Sequence, residues 1–330
     1  MKSRLFPKGV RKSLQKKGNL LFKRVSSNVL ANDLSNLGIE RGDLVCVHSS
    51  MSGFGHVPGG AESIIQIICD LVGSSGTIAM PVFTGGNSTY AYALNNPGPF
   101  DLKKTGCTTG IIPETFRKMP NVVRSLHPTH SVAAAGPLAE TIIQGHEHSI
   151  TPFGKRTPYA EIVRQEGKVL LLNINANSLM HYVEEKVDWP NNYLEKDFIF
   201  PMNSSPEKFV TKVHAPGPFH HVVLPGKREN EFRLLLIPFY ALPVMCTQDM
   251  EKEISLLAPD CQKTLLNRCR SFKDKGIVKL GPVGFGRGAL LKAGEFSQII
   301  ARDMILHLKE NGKMYEKKVL YKIQAENTRA

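Results

Sequence analysis

Two histidines and two hydroxyl side chains lie within the five residues H-P-T-H-S at positions 127–131. The segment follows a strand-like run at residues 121–126. Pro128 fixes its own backbone and biases His127 to an extended geometry, so we expect a shaped loop at the end of a strand. In α/β proteins ligands bind at such strand ends. This loop is therefore a candidate for catalysis, for a metal site or for positioning a ligand.

A second pair suited to chemistry is His181 with Glu184, on a helix predicted to begin at Leu179. An exposed turn at residues 173–178 is predicted to lead into this helix, with Ser178 as its N-cap. Side chains three residues apart on a helix share one face. An imidazole there could take a proton near neutral pH while the carboxylate stabilises the imidazolium. Surface ion pairs without chemical function have the same spacing.

Metal and thiol chemistry receive less support. The histidines and Glu184 could supply zinc ligands, but no H-E-x-x-H motif is present. Cys107 could act as a nucleophile, although turn chemistry also explains its small-residue surroundings. The six cysteines are far apart and include no C-x-x-C pair, which predicts free thiols rather than disulfides. No metal site is therefore predicted.

The elements that must position these residues alternate between β-rich runs and amphipathic segments, a pattern typical of α/β folds. Strands are predicted at residues 44–47, 77–83 and 168–172, and a helix at residues 61–72. A glycine-rich turn at residues 53–60 opens onto that helix, whose first N–H groups favour anions. The spacing of these glycines matches neither the dinucleotide nor the phosphate-loop motif.

Composition and charge narrow the class of protein. With 330 residues and 42% hydrophobic content, the chain can bury one large α/β domain or two smaller ones. The sequence contains neither an apolar run of the roughly 20 residues that cross a bilayer nor a signal-peptide core, which predicts a cytoplasmic protein. Nine basic residues precede the first acidic one, Asp33, and account for most of the net charge of +13. We interpret residues 1–25 as a solvated arm that could touch an anionic membrane surface, and no motif supports nucleic-acid binding.

Several segments together resemble the aminoglycoside 3-N-acetyltransferase family, also called the antibiotic N-acetyltransferases. They occur in the family's order between residues 47 and 184, with a weaker match at residues 281–291 before an amphipathic helix. The matching stretches are V-H-S-S-M-S (47–52), G-G-A-E (59–62), G-T-I-A-M-P-V-F-T (76–84), I-P-E-T-F-R (112–117), R-S-L-H-P-T-H-S-V-A-A-A-G (124–136), T-P-F-G-K-R-T-P-Y (151–159), K-V-L-L-L (168–172) and S-L-M-H-Y-V-E (178–184).

The resemblance implies an α/β fold with a mixed central sheet flanked by helices, distinct from the GNAT acetyltransferases. Residues 26–330 would form a single domain with a variable acceptor-side region around 201–275. The implied activity is metal-free transfer of an acetyl group from acetyl-CoA to a primary amine of an amino sugar. A monomer or homodimer is expected.

By position in the resemblance, His181 is the catalytic base and Glu184 its carboxylate partner, and Ser178 either binds a developing oxyanion or only caps the helix. Glu114 is a candidate contact to the acceptor. The candidate contacts to the acetyl-pantetheine arm of acetyl-CoA are His48, Ser49, Ser50, Met51, Thr84, Thr129, His130, Ser131 and Val132. The loop at 127–131 thereby becomes a wall of the donor site rather than the source of the base.

Two departures from the family bear on the acceptor. Relatives that modify aminoglycosides commonly carry an aspartate between the L-L-L strand and the histidine, whereas this chain has Asn173, Asn175 and Asn177. Even without its basic arm the chain is neutral to basic, which suits polycationic aminoglycosides poorly. We therefore predict a less cationic acceptor, such as a nucleotide-linked or polysaccharide amino sugar. Lys155 and Arg156 are candidate contacts to a phosphate, although two solvated surface charges would have the same sequence.

Two other functions remain open at this level. One is an aminoglycoside 3-N-acetyltransferase that confers antibiotic resistance. The other is a non-catalytic CoA-binding homologue, which the missing aspartate favours and the retained His181 and Glu184 oppose.

Overall fold

The computed structural model describes residues 23–311 except 87–88, 96, 175–176, 189–192, 204–207 and 215–274. Most of the basic arm, Asn175 and nearly all of the variable region at 201–275 therefore lie outside the described residues. The boundaries assigned to the arm, the domain and the variable region stay predictions.

Two sheets organise the described chain. The larger has seven strands in the order β3-β4-β2-β1-β5-β9-β8, and its three central strands, β2, β1 and β5, are parallel. The flanking pairs β2–β4, β3–β4, β5–β9 and β8–β9 are antiparallel. Strands β6 and β7 form a separate antiparallel hairpin. The strands are β1 (Leu44–Ser49), β2 (Thr77–Pro81), β3 (Val123–Arg124), β4 (Val132–Ala135), β5 (Lys168–Leu172), β6 (Tyr193–Phe200), β7 (Phe209–His214), β8 (Val278–Val283) and β9 (Gly286–Lys292).

Helices cover both faces of the large sheet. Alternate residues of β5 show the division, because Val169 and Leu171 pack on one side and Leu170 and Leu172 on the other. The first side is covered by α5 to α8 and the second by α1, α2 and α4. The helices are α1 (Ser27–Leu37), α2 (Gly60–Val72), α3 (Thr89–Leu94), α4 (Ile111–Phe116), α5 (Ala139–Ile143), α6 (Pro158–Arg164), α7 (Leu179–Lys186) and α8 (Ala293–Asn311). A mixed sheet flanked by helices is the fold that the sequence predicts.

The predicted elements differ from the observed ones mainly at their ends. Strand β5 and the start of α7 lie where the sequence places them, and α2 begins one residue early, at Gly60. Strand β1 is longer than predicted because His48 and Ser49 pair with β5 despite their polar side chains. Strand β2 is shorter than predicted and ends at Pro81, where the Val82 carbonyl accepts the Ser131 hydroxyl at 3.0 Å.

The strand predicted at residues 121–126 is reduced to two residues, Val123 and Arg124. The Ser125 hydroxyl, rather than its carbonyl, accepts the Val132 amide at 2.9 Å, which ends the regular ladder with β4. Asn121 has a left-handed backbone with φ of 62° and turns the chain before the strand. A hydropathy pattern does not predict that a side-chain hydroxyl will replace a backbone carbonyl as the hydrogen-bond acceptor.

The turn before α7 is not exposed as predicted, because Asn173 and its described neighbours are partly buried. Asn173 adopts φ of 57° and its Oδ1 accepts the Arg287 amide at 2.9 Å. Gly53 and Gly286 lie against its amide group, and a Cβ on Gly286 would overlap the Asn173 oxygen. Asn173 therefore joins the ends of β1, β5 and β9.

The close approach of Gly286 to Asn173 predicts that a larger side chain at position 286 destabilises the fold, and that a smaller one at position 173 relieves part of this effect. We expect Gly286→Ala to lower the free energy of unfolding by about 1 to 3 kcal/mol, the usual cost of overpacking. Adding Asn173→Gly removes the overlapping amide and tolerates the left-handed backbone, so the double variant should recover part of the loss. Urea denaturation measures both. Gly294→Ala, whose Cβ would meet only the Val163 carbonyl at 3.9 Å, is the control.

The β6–β7 hairpin brings its own small core of Phe198, Phe200, Phe209 and Val213. It is tied to the rest of the described chain by the Lys212 amide, which donates to the Ile150 carbonyl at 2.8 Å. None of the helices described here combines the length and apolar character needed to cross a membrane. Cys46, Cys69 and Cys107 are free thiols, as predicted, and the other three cysteines lie outside the described residues.

Candidate active site

The His181–Glu184 pair lies on α7, just past the carboxyl end of the central strand β5. The His181 Nδ1 is 2.9 Å from the Glu184 Oε2, so the shared proton belongs on Nδ1. Glu184 is fully buried, whereas 28% of the His181 side chain is exposed. A buried carboxylate thus fixes the tautomer, and Nε2 is the basic nitrogen of this ring.

Phe153 forms an aromatic wall beside this imidazole. Its ring centroid lies 5.0 Å from that of His181 and 5.1 Å from that of His130. The ring itself is fully buried. The Phe153 ring therefore lies beside both His130, from the 127–131 loop, and His181, the predicted base.

The start of α7 is held by residues other than the predicted cap. Ser178 occupies the N-cap position, as predicted, but its backbone is helical and its hydroxyl makes no capping bond. Instead the Asn177 Oδ1 accepts the Leu179 amide at 3.0 Å, and the His48 Nε2 accepts the Ser178 amide at 3.1 Å. His48 thus connects the end of β1 to the helix that carries His181.

His48 must be neutral to accept that amide. Burial lowers the pKa of its imidazole to about 4, and its Nδ1 is buried without a partner among the described residues. Next to it, the Ser49 Oγ is also buried and has no partner in the described chain. The Ser50 and Ser52 hydroxyls bond to each other at 3.2 Å, and Met51 follows Ser50 in a short 3-10 turn.

The other predicted donor-site residues line the paired segments after β2 and before β4. The Thr84 amide donates to the Thr129 carbonyl at 2.9 Å, and the Thr84 hydroxyl donates to the Pro128 carbonyl. The Ser131 hydroxyl donates to the Val82 carbonyl at 3.0 Å. Val132 and Ser131 are completely buried. These side chains are already used inside the protein, which favours a structural contribution to the loop.

His127 is an interior residue of this loop. Its Nδ1 accepts the His130 amide at 3.1 Å and the Thr129 amide at 3.3 Å, and its ring lies 4.6 Å from that of His146. Burial holds the pKa values of His127 and His130 well below the usual histidine range, and it lowers the pKa of His146 to about 3. Burial therefore keeps these three imidazoles in the neutral form near neutral pH.

The predicted acceptor contacts fall into two separate grooves. Lys155 and Arg156 are exposed in a cleft between residues 148–156 and α7. Glu114 instead lines a groove between α2 and α4. Its carboxylate accepts from Arg117 at 2.6 Å and from the Cys107 amide at 2.8 Å, and the Arg117 guanidinium holds the pKa of Glu114 well below its usual range.

Sequence reasoning missed Glu185, which lines the cleft beside Lys155 and Arg156. The Glu185 carboxylate accepts hydrogen bonds from the hydroxyls of Thr151 and Tyr193. Its position next to Glu184 is visible in the sequence, but its partners come from distant segments. Within the described ranges no group of three or more His, Cys, Asp or Glu side chains is arranged to hold a metal ion.

Comparison with known proteins identifies relatives of this arrangement. Aminoglycoside N(3)-acetyltransferase IX of Micromonospora chalcea is 33% identical over 180 residues, which are 50% of this chain and 63% of the relative. Aminoglycoside N(3)-acetyltransferase III of Acinetobacter baumannii is 36% identical over 174 residues, or 48% of this chain and 59% of the relative. The matched segment therefore spans about three fifths of these relatives' own lengths.

Solved structures share the fold over most of the chain. The crystal structure of aminoglycoside acetyltransferase AAC(3)-Xa superposes with a TM-score of 0.65 at 21% identity, covering 90% of this chain and 99% of the other. AAC-IIIb as a binary complex with CoASH gives 0.61 at 20% identity, covering 86% and 97%. AAC-VIa bound to sisomicin gives 0.62 at 20% identity, covering 86% and 99%.

The sequence profile of the family described as aminoglycoside 3-N-acetyltransferase matches residues 46–235, which is more than half of the chain. That range includes most of β1 and all of β5 and α7, the elements that position His48, His181 and Glu184. The chain belongs to the aminoglycoside 3-N-acetyltransferase family.

Proposed function

We propose that this protein is an acetyl-CoA-dependent N-acetyltransferase whose acceptor is an amine of an aminoglycoside. The observation that carries the proposal is the His181 imidazole, partly exposed and held at 2.9 Å by the buried Glu184 carboxylate. This pair lies at the strand end where α/β folds bind ligands.

The pair suits the proton transfer that amine acylation requires. A sugar ammonium must lose a proton before its nitrogen can act as a nucleophile, and the His181 Nε2 is the acceptor for that proton. Glu184 keeps the other ring proton on Nδ1 and stabilises the imidazolium that forms. When bound, acetyl-CoA supplies the acetyl group as a thioester, whose carbonyl carbon accepts the amine nitrogen while its sulfur leaves as the thiol.

The residues at the end of β1 fit a pantetheine arm. The Ser49 Oγ and the Asn177 Nδ2 are buried polar atoms without partners in the described chain. Unpaired buried polar atoms are costly, and amide groups of a ligand would satisfy both of these. We propose that these two side chains contact the donor, and that His48 serves it indirectly by positioning Ser178.

The identity of the acceptor rests on the relatives. The curated relatives, which match about half of this chain, are named aminoglycoside N(3)-acetyltransferases. One structural neighbour is bound to sisomicin. These names favour an aminoglycoside over the nucleotide-linked or polysaccharide amino sugar that the charge of the chain suggests.

One observation favours that second candidate. The cleft next to α7 carries three exposed cations, Lys155, Arg156 and Lys186, against two carboxylates, Glu185 and Asp188. Exposed cations at a rim attract phosphate, but they are well screened by salt and water. An amino sugar that carries a phosphate therefore remains the alternative acceptor.

Acetyl transfer to a panel of amines tests the proposal. With acetyl-CoA, we expect release of free thiol and formation of a mono-acetylated product with aminoglycosides such as sisomicin, and little with nucleotide-linked amino sugars. The reverse preference would support the phosphate-bearing acceptor. An absence of transfer to every amine, with CoA binding retained, would instead support a non-catalytic homologue.

A further inference from the structure

Glu185 is a partly buried carboxylate with no role in the proton transfer described above. It follows Glu184 on α7 but has different hydrogen-bond partners. The Tyr193 hydroxyl donates to its Oε2 at 2.7 Å, and the Thr151 hydroxyl donates to its Oε1. Both donors are neutral. The two hydroxyls fix the carboxylate in the cleft between residues 148–156 and α7.

The backbone makes room for this carboxylate at Gly154. A Cβ on Gly154 would lie 2.6 Å from the Glu185 Oε1 and 2.8 Å from the Thr151 Oγ1. Both distances are shorter than side-chain contacts tolerate, so the position of Glu185 depends on a glycine in the loop opposite.

The negative charge of Glu185 has no cationic partner among the described residues. Lys155, Arg156 and Lys186 line the same cleft, but they are exposed and form no ion pair with it. Burial raises the pKa of the Glu185 carboxyl, which is the effect of a charge that lacks compensation. A ligand cation would restore that balance.

Helix geometry relates this group to the catalytic pair. His181 and Glu185 are four residues apart on α7, so their Cβ atoms are about 5 to 6 Å apart on one side of the helix. A ligand with one amine at His181 could therefore bring a second amine to Glu185.

We infer that Glu185 is a specificity-determining residue that binds a second ammonium group of the acceptor, one turn of α7 away from the amine that is acetylated. The acceptor class is thus an amino sugar with at least two amines. The inference rests on the proposed function and assigns to the same site a group that selects among acceptors.

Sisomicin serves as the probe, with steady-state kinetics and calorimetric binding measured on the full chain. In Glu185→Gln we expect KM and Kd for sisomicin to rise about 10- to 100-fold, the value of a hydrogen bond to a charged group. We expect kcat to change less than threefold and KM for acetyl-CoA to stay constant. Glu166→Gln makes the same chemical change at an exposed carboxylate and is the matched control.

A second variant separates charge from architecture. Tyr193→Phe removes one bond to Glu185 but keeps its charge, so sisomicin affinity should fall less than in Glu185→Gln. Equal losses of affinity in the two variants, or an unchanged Kd in Glu185→Gln, would overturn the inference. Wild-type chain that binds sisomicin through Glu185 without acetylating it would contradict the proposed function alone.

Discussion

Replacing Glu184 with glutamine is expected to lower kcat for acetyl transfer by roughly 10²- to 10⁴-fold, the range found for general-base partners. The amide would fill the same buried volume, yet it offers an N–H where the carboxylate offers an acceptor. The imidazole of His181 would then carry its proton on Nε2, the atom that must be unprotonated to act as the base. Binding of acetyl-CoA should be unaffected, because the change lies inside α7. Stopped assays of thiol release measure kcat directly.

The variant His181→Gln should lose activity to a similar extent. The double variant should be no worse than either single one, because residues that act as a unit show non-additive losses. Independent contributions would instead multiply. Measuring the three variants under one set of conditions decides between a coupled pair and two separate residues.

Stability distinguishes the two single variants. His181→Gln takes the Nδ1–H donor away from a fully buried carboxylate, and such a loss typically costs about 1 to 3 kcal/mol. Glu184→Gln removes the buried charge itself and should cost much less. His56→Gln, a change at an exposed histidine, controls for assay and preparation. Glu184→Gln with wild-type kcat would remove the carboxylate from the mechanism.

The elements of this site could be predicted because their signals are local. The apolar run of β5 has the predicted bounds, and α7 begins at the predicted residue. The spacing of His181 and Glu184 then places both side chains on one helix face. The spacing could not show that Glu184 is buried by the packing of α7 against α6 and α8. This burial gives His181 a fixed carboxylate partner shielded from water.

Contacts between distant segments could not be predicted from the sequence. The predicted first strand ends at residue 47, but the polar residues His48 and Ser49 belong to it because their backbones pair with β5. The acceptor for the Ser178 amide comes from His48, 130 residues earlier. The partners of Glu185 come from the 148–156 loop and β6. Each of these contacts depends on tertiary packing, which periodicity and motif spacing do not predict.

Acidification is expected to unfold this protein at an unusually mild pH, because four histidines are buried in the neutral form. They are His48, His127, His130 and His146, and burial lowers the pKa of each in the folded state. In the unfolded chain each should titrate near the ordinary histidine value of about 6.5. Below that pH the unfolded state binds more protons than the folded state, so stability is complete above it and falls as the pH decreases.

The size of the effect follows from the number of histidines. Each one that stays neutral costs about 1.4 kcal/mol per pH unit below its unfolded pKa. Four together would remove on the order of 5 kcal/mol between about pH 7.5 and 5.5, which approaches the total stability of many domains. The window extends down toward the folded pKa of His48, about 4. Urea denaturation followed by circular dichroism across this range measures the loss.

A single substitution tests whether the buried imidazoles are the cause. Asparagine at position 127 places an amide oxygen near the site of the His127 Nδ1, where it can still accept the Thr129 and His130 amides but cannot titrate. His127→Asn loses ring packing at every pH, so only the difference between the two pH values is informative. That difference should shrink by about 1.4 kcal/mol. His56→Asn, at an exposed histidine, should leave it unchanged, and an equal pH dependence in wild type and His127→Asn would exclude His127 as a source of the acid sensitivity.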